Sequence, residues 1–225
     1  MKNTSVTINY DELLQLFVST DQLHPHFSHP NTQEGYVYAT DGHHIMRVPS
    51  HLVTGDYPNE YKGRFISIWP NPERWLDDPI QYDPQSIQNA ILEIPRLIVE
   101  EKVDCDKCKG EGIIHCDCCG RDNDCNECDG DGIIATGKKE EIADPDYYIR
   151  FEGVTNLNAR FLHNLLRCAE STGQPIYLLT VCDKEVQIFQ TGEIEVGIMP
   201  FNANRLDVRK YIDVFSTPPS NRNDK

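Results

Sequence analysis

Seven of the nine cysteines fall between Cys105 and Cys128, in a stretch that reads CDKCKGEGIIHCDCCGRDNDCNECDGDGII from Cys105 to Ile134. Nothing else in the chain limits its folding as strongly. Two copies of CxxCxGxGII stand at 105–114 and 125–134, and a third CxxC, Cys116 and Cys119, lies between them. A CxxC turn presents two sulfurs to one ion, and the glycines behind it let the backbone fold back beneath the metal at positive φ. The N-terminal residues MKNTSVTINYDELL lack the apolar segment of a secretory leader, so these thiols point to metal rather than to disulfides. An acidic loop of this length buries too little apolar surface to order itself. Zinc would supply about 10–16 kcal/mol of folding free energy. Four thiolates leave no place for water, so the expected Zn2+ is structural, with a redox CxxC as the alternative. Chelation is then expected to unfold the island and spare the rest. Cys168 and Cys182 sit in apolar segments and read as buried free thiols.

The island resembles the cysteine-rich zinc domain of DnaJ-type chaperones, whose repeat is CxxCxGxG. In that family paired repeats on opposite arms share one zinc. The resemblance implies that Cys105, Cys108, Cys125 and Cys128 bind one ion together. It has two complete repeats where that family has four, and the chain contains no J-domain motif. The inner group stays open. His115, Cys116, Cys118 and Cys119 could hold a second ion, or Cys116 and Cys119 could take the place of the last CxxC beside Cys105 and Cys108.

The flanking segments read as alternating strands and helices. Val6 and Ile8 suggest a strand, and Asn9 with Glu12 matches a capping box before the helical spacing of Leu13, Leu14, Phe17 and Val18. The loop 21–34 carries His24, His26 and His29, which read as surface residues rather than a metal site. Tyr36–Ala39 and Ile45–Val48 read as strands around the turn Asp41-Gly42, which accounts for Asp41 without acid–base chemistry. RFISIW at 64–69 is a strand candidate, 70–86 a proline-bearing connection with Trp69 and Trp75 as packing anchors, Ile87–Leu92 a short helix and Leu97–Val99 a strand. Beyond the cysteines come a strand at Tyr148–Phe151, a helix at 156–170 ended by Gly173, and strands at 176–181, 186–189 and 194–198. The order strand–helix–strands thus occurs twice, which predicts one α+β domain of two related halves.

Tyr38-Ala39-Thr40-Asp41-Gly42-His43-His44-Ile45 resembles the ATDGHRL signature of the bacterial DNA polymerase III beta subunit, the sliding clamp, with His44 where the signature has Arg. The strands 176–201 resemble the end of the clamp's last domain, where the final strand runs into Met-Pro, here Met199-Pro200 followed by Phe201. The resemblance implies a single clamp-like α+β domain of two strand–helix–strand halves, interrupted by a small zinc-binding β-hairpin module. Its parts would be 1–100, the insert 101–146, 147–213 and a disordered tail 214–225. It also implies two surfaces. One is a cleft for short peptides from polymerases and other replication proteins, carried by Thr40, Gly42, His43, His44, Ile45, Met199 and Pro200. The other is a helix face toward DNA, carried by Arg160, His163 and Arg167 with Asn164, whereas the other helix offers Asp11, Glu12 and Gln15. A ring would require several copies of this chain, or docking onto a host clamp.

Charge limits these choices. The chain carries 21 Lys+Arg against 36 Asp+Glu, a net charge of −15, and residues 100–146 hold 15 of the acids but only 6 of the bases. A broad basic footprint for nucleic acid is absent, so DNA contact would be a local stripe. No apolar run is long enough to span a membrane, and no P-loop, nucleophile elbow or dinucleotide fingerprint occurs. The expectation is a cytoplasmic, non-enzymatic binding protein of DNA replication or repair. The alternatives are an acidic inhibitor of a replication factor and a zinc-dependent chaperone or redox module.

Overall fold

A computed structural model of the chain describes residues 8–21, 24–60, 65, 69, 75–116, 118–153, 155–181, 185–200 and 210–216. Two compact units emerge, Met1–Ile94 with Pro145–Lys225, and Pro95–Asp144. The first segment carries α1 (Tyr10–Gln15), β1 (Asn31–Gln33), β2 (Tyr36–Thr40), β3 (His44–Pro49), β4 (Ile80–Tyr82) and α2 (Pro84–Leu92). The intervening unit carries β5 (Arg96–Asp104), β6 (Ile113–His115), β7 (Asp122–Asp124) and β8 (Ile133–Ala143). The chain returns with β9 (Tyr147–Phe151), β10 (Thr155–Asn158), α3 (Ala159–Thr172), β11 (Ile176–Leu178), β12 (Gln187–Thr191), β13 (Ile194–Ile198) and β14 (Lys210–Val214).

The larger unit is an α+β structure built on a seven-stranded sheet in the order β1-β2-β3-β13-β12-β11-β4. Its seam is the antiparallel pairing of β3 with β13, which sets Ile45 opposite Gly197 and His44 opposite Ile198. That pairing, with the antiparallel pairing of β11 and β4 at the sheet edge, joins the early and late parts of the chain. The core behind it holds Leu14, Phe17, Met46, Val48, Tyr82, Phe151 and Phe189, all fully buried. A second cluster gathers Tyr38, Ile45, Phe65, Trp69, Leu179, Val186 and Ile188, with Trp75 packed against it. The buried ion pair Arg47–Glu195 crosses the seam at 2.7 Å, with the guanidinium stacked between Tyr36 and Trp69.

Local chemistry explains the helix ends. The Asn9 carboxamide oxygen caps the helix by accepting from the Glu12 N–H, while its amide, in place of the backbone N–H of a full capping box, donates to the Glu12 carboxylate. The helix stops at Gln15, so Phe17 lies beyond it. Gly173, at φ 62, ends α3 in the left-handed conformation expected of it.

Several expected elements differ. The helix expected from 156 begins at Ala159, because Thr155–Asn158 pairs with β9 as β10 and Asn158 then caps the helix. Ile80–Tyr82, expected inside a connection, is the edge strand β4. The last two sheet strands are shifted, with Ile176–Leu178 shorter than expected and Gln187–Thr191 running later. Val214 is buried in β14, parallel to β9, where a disordered tail was expected to begin. A bidentate Arg150–Asp213 pair fastens this strand. The strand leading to the cysteines runs from Arg96 to Asp104, so the unit starts at 95 rather than 101. Of the segment 64–69 only Phe65 and Trp69 are described, neither in a strand. Val6, Cys182, Phe201 and residues 217–225 lie outside the described residues.

Candidate metal centre and peptide cleft

In the smaller unit, β5 and β8 form a long ribbon with a register shift between Glu100 and Lys102, and the two CxxCxGxG copies fold as knuckles joined by reciprocal backbone bonds. Cys105 N–H donates to the Gly132 carbonyl at 2.8 Å, and Cys125 N–H donates to the Gly112 carbonyl at 2.7 Å. Within each knuckle a glycine N–H donates to a sulfur, Gly112 to Cys108 and Gly132 to Cys128, both at 3.2 Å. The two glycines face each other so closely that a Cβ on Gly112 would overlap the Gly130 carbonyl oxygen, and one on Gly132 that of Gly110. The glycines of the repeat are thus required by packing between the knuckles as well as by positive φ.

The consequence is that all four outer sulfurs are buried and lie within 4.8 Å of one another. Cys105 and Cys125 stand 3.8 Å apart, and Cys108 and Cys128 stand 3.7 Å apart. Burial pushes the Cys128 thiol up to about 11, and a cation at the centre of the cluster would reverse that cost. The structure therefore brings together Cys105, Cys108, Cys125 and Cys128, a set that could hold a metal ion. It does not place Cys116 and Cys119 beside Cys105 and Cys108. Cys116, Cys118 and Cys119 form a separate group within 4.8 Å. His115 is not part of that group: its Nδ1 lies 2.9 Å from the Asp122 carboxylate. Among the described residues, the loop histidines His24, His26 and His29 join no such cluster.

In the larger unit the segments 38–45 and 194–200 meet. The turn between β2 and β3 is tied by its own side chains. Asp41 Oδ1 accepts from the N–H groups of His43 and His44 and from His44 Nδ1, at 2.8, 3.0 and 2.8 Å. Burial alone would raise the Asp41 carboxyl, but these bonds outweigh it and hold it far below the usual range. The Thr40 hydroxyl donates to the His44 carbonyl and accepts from Gly42 N–H, with Gly42 at φ 91. The seam then carries the chain on from β13, and Met199 N–H donates to the His43 carbonyl at 3.1 Å.

Beside this turn lies an open cleft of about 260 Å³. Thr40, Gly42, His43, His44, Ile45 and Met199 line it, joined by Phe27, Val186 and Gly197. Pro200 does not line it. Phe27 lies in a loop with no periodic signal, and Val186 reads as core. Gly197 was the legible one of the three. A glycine inside a strand marks a close approach, and a Cβ here would press on Val186 and Ile45 at 2.8 and 2.9 Å. His44 contributes less side chain than expected. Its ring is buried between Phe17 and Phe161, and Asn164 donates to its Nε2 at 2.9 Å.

That contact changes the reading of α3. Asn164 also donates to the Leu16 carbonyl, so it serves the packing of α1 and the turn rather than a phosphate-facing stripe. Arg160, His163 and Arg167 remain exposed. Arg160 lies over the Phe161 ring, and Arg167 faces Glu170 at 3.8 Å. Cys168, on the other side of the helix, is buried and its thiol is raised to about 12 by that burial.

The chain thus pairs an α+β unit bearing an apolar cleft with a four-cysteine module. No protein-family model matches it, and no curated protein matches it in sequence. Among solved structures it is similar to DNA polymerase III subunit beta from Borrelia burgdorferi, with 9% identity and a TM-score of 0.45 over 86% of this chain and 61% of that one. The Helicobacter pylori beta clamp bound to a DNA ligase peptide gives 9% and 0.45, over 87% of this chain and 64% of that one. A putative DNA polymerase III beta subunit from Eubacterium rectale gives 15% and 0.41, over 86% and 63%. The chain spans less than two thirds of the length of these proteins. At that level the likeness carries no functional argument. Among the described residues no helix is long and apolar enough to cross a membrane.

Proposed function

We propose that the chain is a non-enzymatic, clamp-like binding protein of DNA replication or repair, whose cleft receives an apolar anchor from a partner's linear peptide. One observation carries this reading: the segments around Thr40–Ile45 and Gly197–Met199, from distant parts of the chain, line one cleft. Its volume falls below the roughly 300–1,000 Å³ of small-molecule sites. It suits one or two side chains better than a whole substrate. The turn beneath it is held by hydrogen bonds within itself, so the cleft is formed before a partner arrives. The net charge of −15 turns the choice of partner toward a basic segment.

Zinc is the ion proposed for Cys105, Cys108, Cys125 and Cys128. A Zn–S bond of about 2.3 Å gives sulfur–sulfur edges of about 3.8 Å in a tetrahedron, the spacing of these pairs. Its role there is structural.

The test of the cleft is fluorescence anisotropy with labelled short peptides, including a DNA ligase peptide of the kind bound to the Helicobacter pylori clamp. Met199 is 47% exposed, so Met199→Asp can be made without disturbing the core. Binding at micromolar concentrations that falls at least about tenfold in this variant is the expected result. Failure of every apolar-anchored peptide to bind, or equal binding by Met199→Asp, removes the reading. A second reading, contact with DNA through Arg160, His163 and Arg167, is favoured by their joint exposure on α3. It requires salt-dependent duplex binding that Arg160→Glu and Arg167→Glu abolish.

A further inference from the structure

The inner cysteines lie at the tip of the hairpin formed by β6 and β7. Cys116 N–H donates to the Arg121 carbonyl at 2.9 Å, closing the turn. The Cys116 carbonyl accepts from the N–H groups of Cys119 and Gly120, at 3.4 and 2.8 Å. Gly120 takes φ 68, with open space around it. This is a CxxC turn one residue tighter than the outer knuckles, in which the Cys105 and Cys125 carbonyls accept from Gly110 and Gly130. Cys118 adds a third sulfur that the outer knuckles lack. Cys118 and Cys119 are exposed and Cys116 is half-buried, unlike the four buried sulfurs of the outer set.

We propose that Cys116, Cys118 and Cys119 hold a second zinc ion through three thiolates, with a fourth position open to solvent and exchangeable for a soluble thiol. Three sulfurs converge here: among the described residues no other His, Cys, Asp or Glu, His115 included, brings a ligand atom into the group. Zinc sites with three protein ligands keep an exchangeable fourth position, whereas four-thiolate sites are closed. Soft donors also set the class of ion, since thiolates select zinc over the hard cations. The Cys116 and Cys118 sulfurs lie 2.8 Å apart and must part by about 1 Å to share one zinc. Side-chain rotation at the surface can supply that. The unit around the site carries an excess of acid, which offsets nothing of the thiolate charge but draws cations to the tip.

The experiment uses the full chain, reduced and supplied with excess zinc, and counts bound zinc by native mass spectrometry. Two ions per chain are expected, falling to one in the variant Cys116→Ser/Cys118→Ser/Cys119→Ser. His115→Ala is expected to retain two. Release to a chelator should show one fast and one slow phase, with the fast phase missing in the triple variant. Cobalt placed in the second site should change its visible spectrum when 2-mercaptoethanol is added, and cobalt in the first should not. One zinc in the reduced wild-type chain overturns the proposal. So does a second zinc that survives in the triple variant. Loss of the second ion in His115→Ala, or a cobalt spectrum indifferent to thiol, overturns the open fourth position. None of these outcomes bears on peptide binding, which is read separately.

Discussion

Gly112→Ala tests the outer metal centre without touching a sulfur. Gly112 sits at φ 75, where a non-glycine residue costs about 1–2 kcal/mol. Its new Cβ would overlap the Gly130 carbonyl oxygen and stand 3.0 Å from the carbonyl carbon. Both atoms are backbone, so no side chain can rotate out of the way. Relief requires the knuckles to separate. The bonds lost first are Cys125 N–H to the Gly112 carbonyl and Gly112 N–H to the Cys108 sulfur. At about 1 kcal/mol each, with the backbone strain added, the total is about 3–4 kcal/mol. Where the zinc-free module is unfolded, this penalty falls on metal binding, a loss of about 100- to 700-fold in zinc affinity. The assay is competition for zinc against a chromophoric chelator. Gly137→Ala is the control, because Gly137 also has positive φ, at 78, but nothing lies within 4 Å of its added Cβ. It carries only the backbone strain of about 1–2 kcal/mol and should lose at most about 5- to 30-fold in zinc affinity. Equal zinc affinities for the two variants would refute the reasoning, because the crossed backbone contact is what separates them.

Further outcomes follow from the larger unit and from metal removal. Arg47→Met should cost about 3–5 kcal/mol in urea unfolding, because it leaves Glu195 nearly buried without its partner. Adding Glu195→Gln should recover part of the loss. Asp11 accepts from Thr54 N–H, the Thr54 hydroxyl, Gly55 N–H and the Tyr57 hydroxyl. Burial opposes its ionisation, but these bonds prevail and lower its carboxyl to about 2. A carboxyl depressed in the folded state adds stability above its unfolded pKa of about 4, and that stability is lost as pH falls through about 2. Wild type should therefore exceed Asp11→Asn by about 1–2 kcal/mol at pH 7, and the gap should close between pH 5 and pH 2. Chelation should erase the dispersed amide resonances of residues 105–134 while those of the seven-stranded sheet persist.

What was legible in the sequence was mostly local. The CxxCxGxG copies announce their own turns, so the four outer cysteines could be named before any fold was in hand. The β2–β3 hairpin was readable because Asp41-Gly42 specifies its turn within a few residues. The helix cap at Asn9 and the glycine end of α3 were readable for the same reason. The misses were non-local. β14 pairs in parallel with β9, and parallel pairing across that span leaves no turn signal, so no strand was expected at Lys210–Val214. β10 was absorbed into the helix because Leu157 fits the helical stripe as well as it fits the buried face of a strand. His44 was read as a side chain for the cleft because nothing in the sequence shows that Asn164, far along the chain, holds its ring inward. Phe27 reached the cleft from a loop that has no periodicity to read.

The smaller unit leaves the chain where it enters it, since Asp144 N–H donates to the Pro95 carbonyl at 2.9 Å. Topologically it is a detour that closes on itself. For the rest of the polypeptide a folded detour counts as a turn of a few residues, while an unfolded one counts as a loop of about fifty. The seam closes the chain from Ile45 to Gly197, about 150 residues with the detour unfolded and about 100 with it folded, and at about 0.6 kcal/mol for each doubling of length the difference is about 0.3 kcal/mol. A bound metal can therefore steady the β3–β13 seam slightly, by shortening the chain that the seam must close.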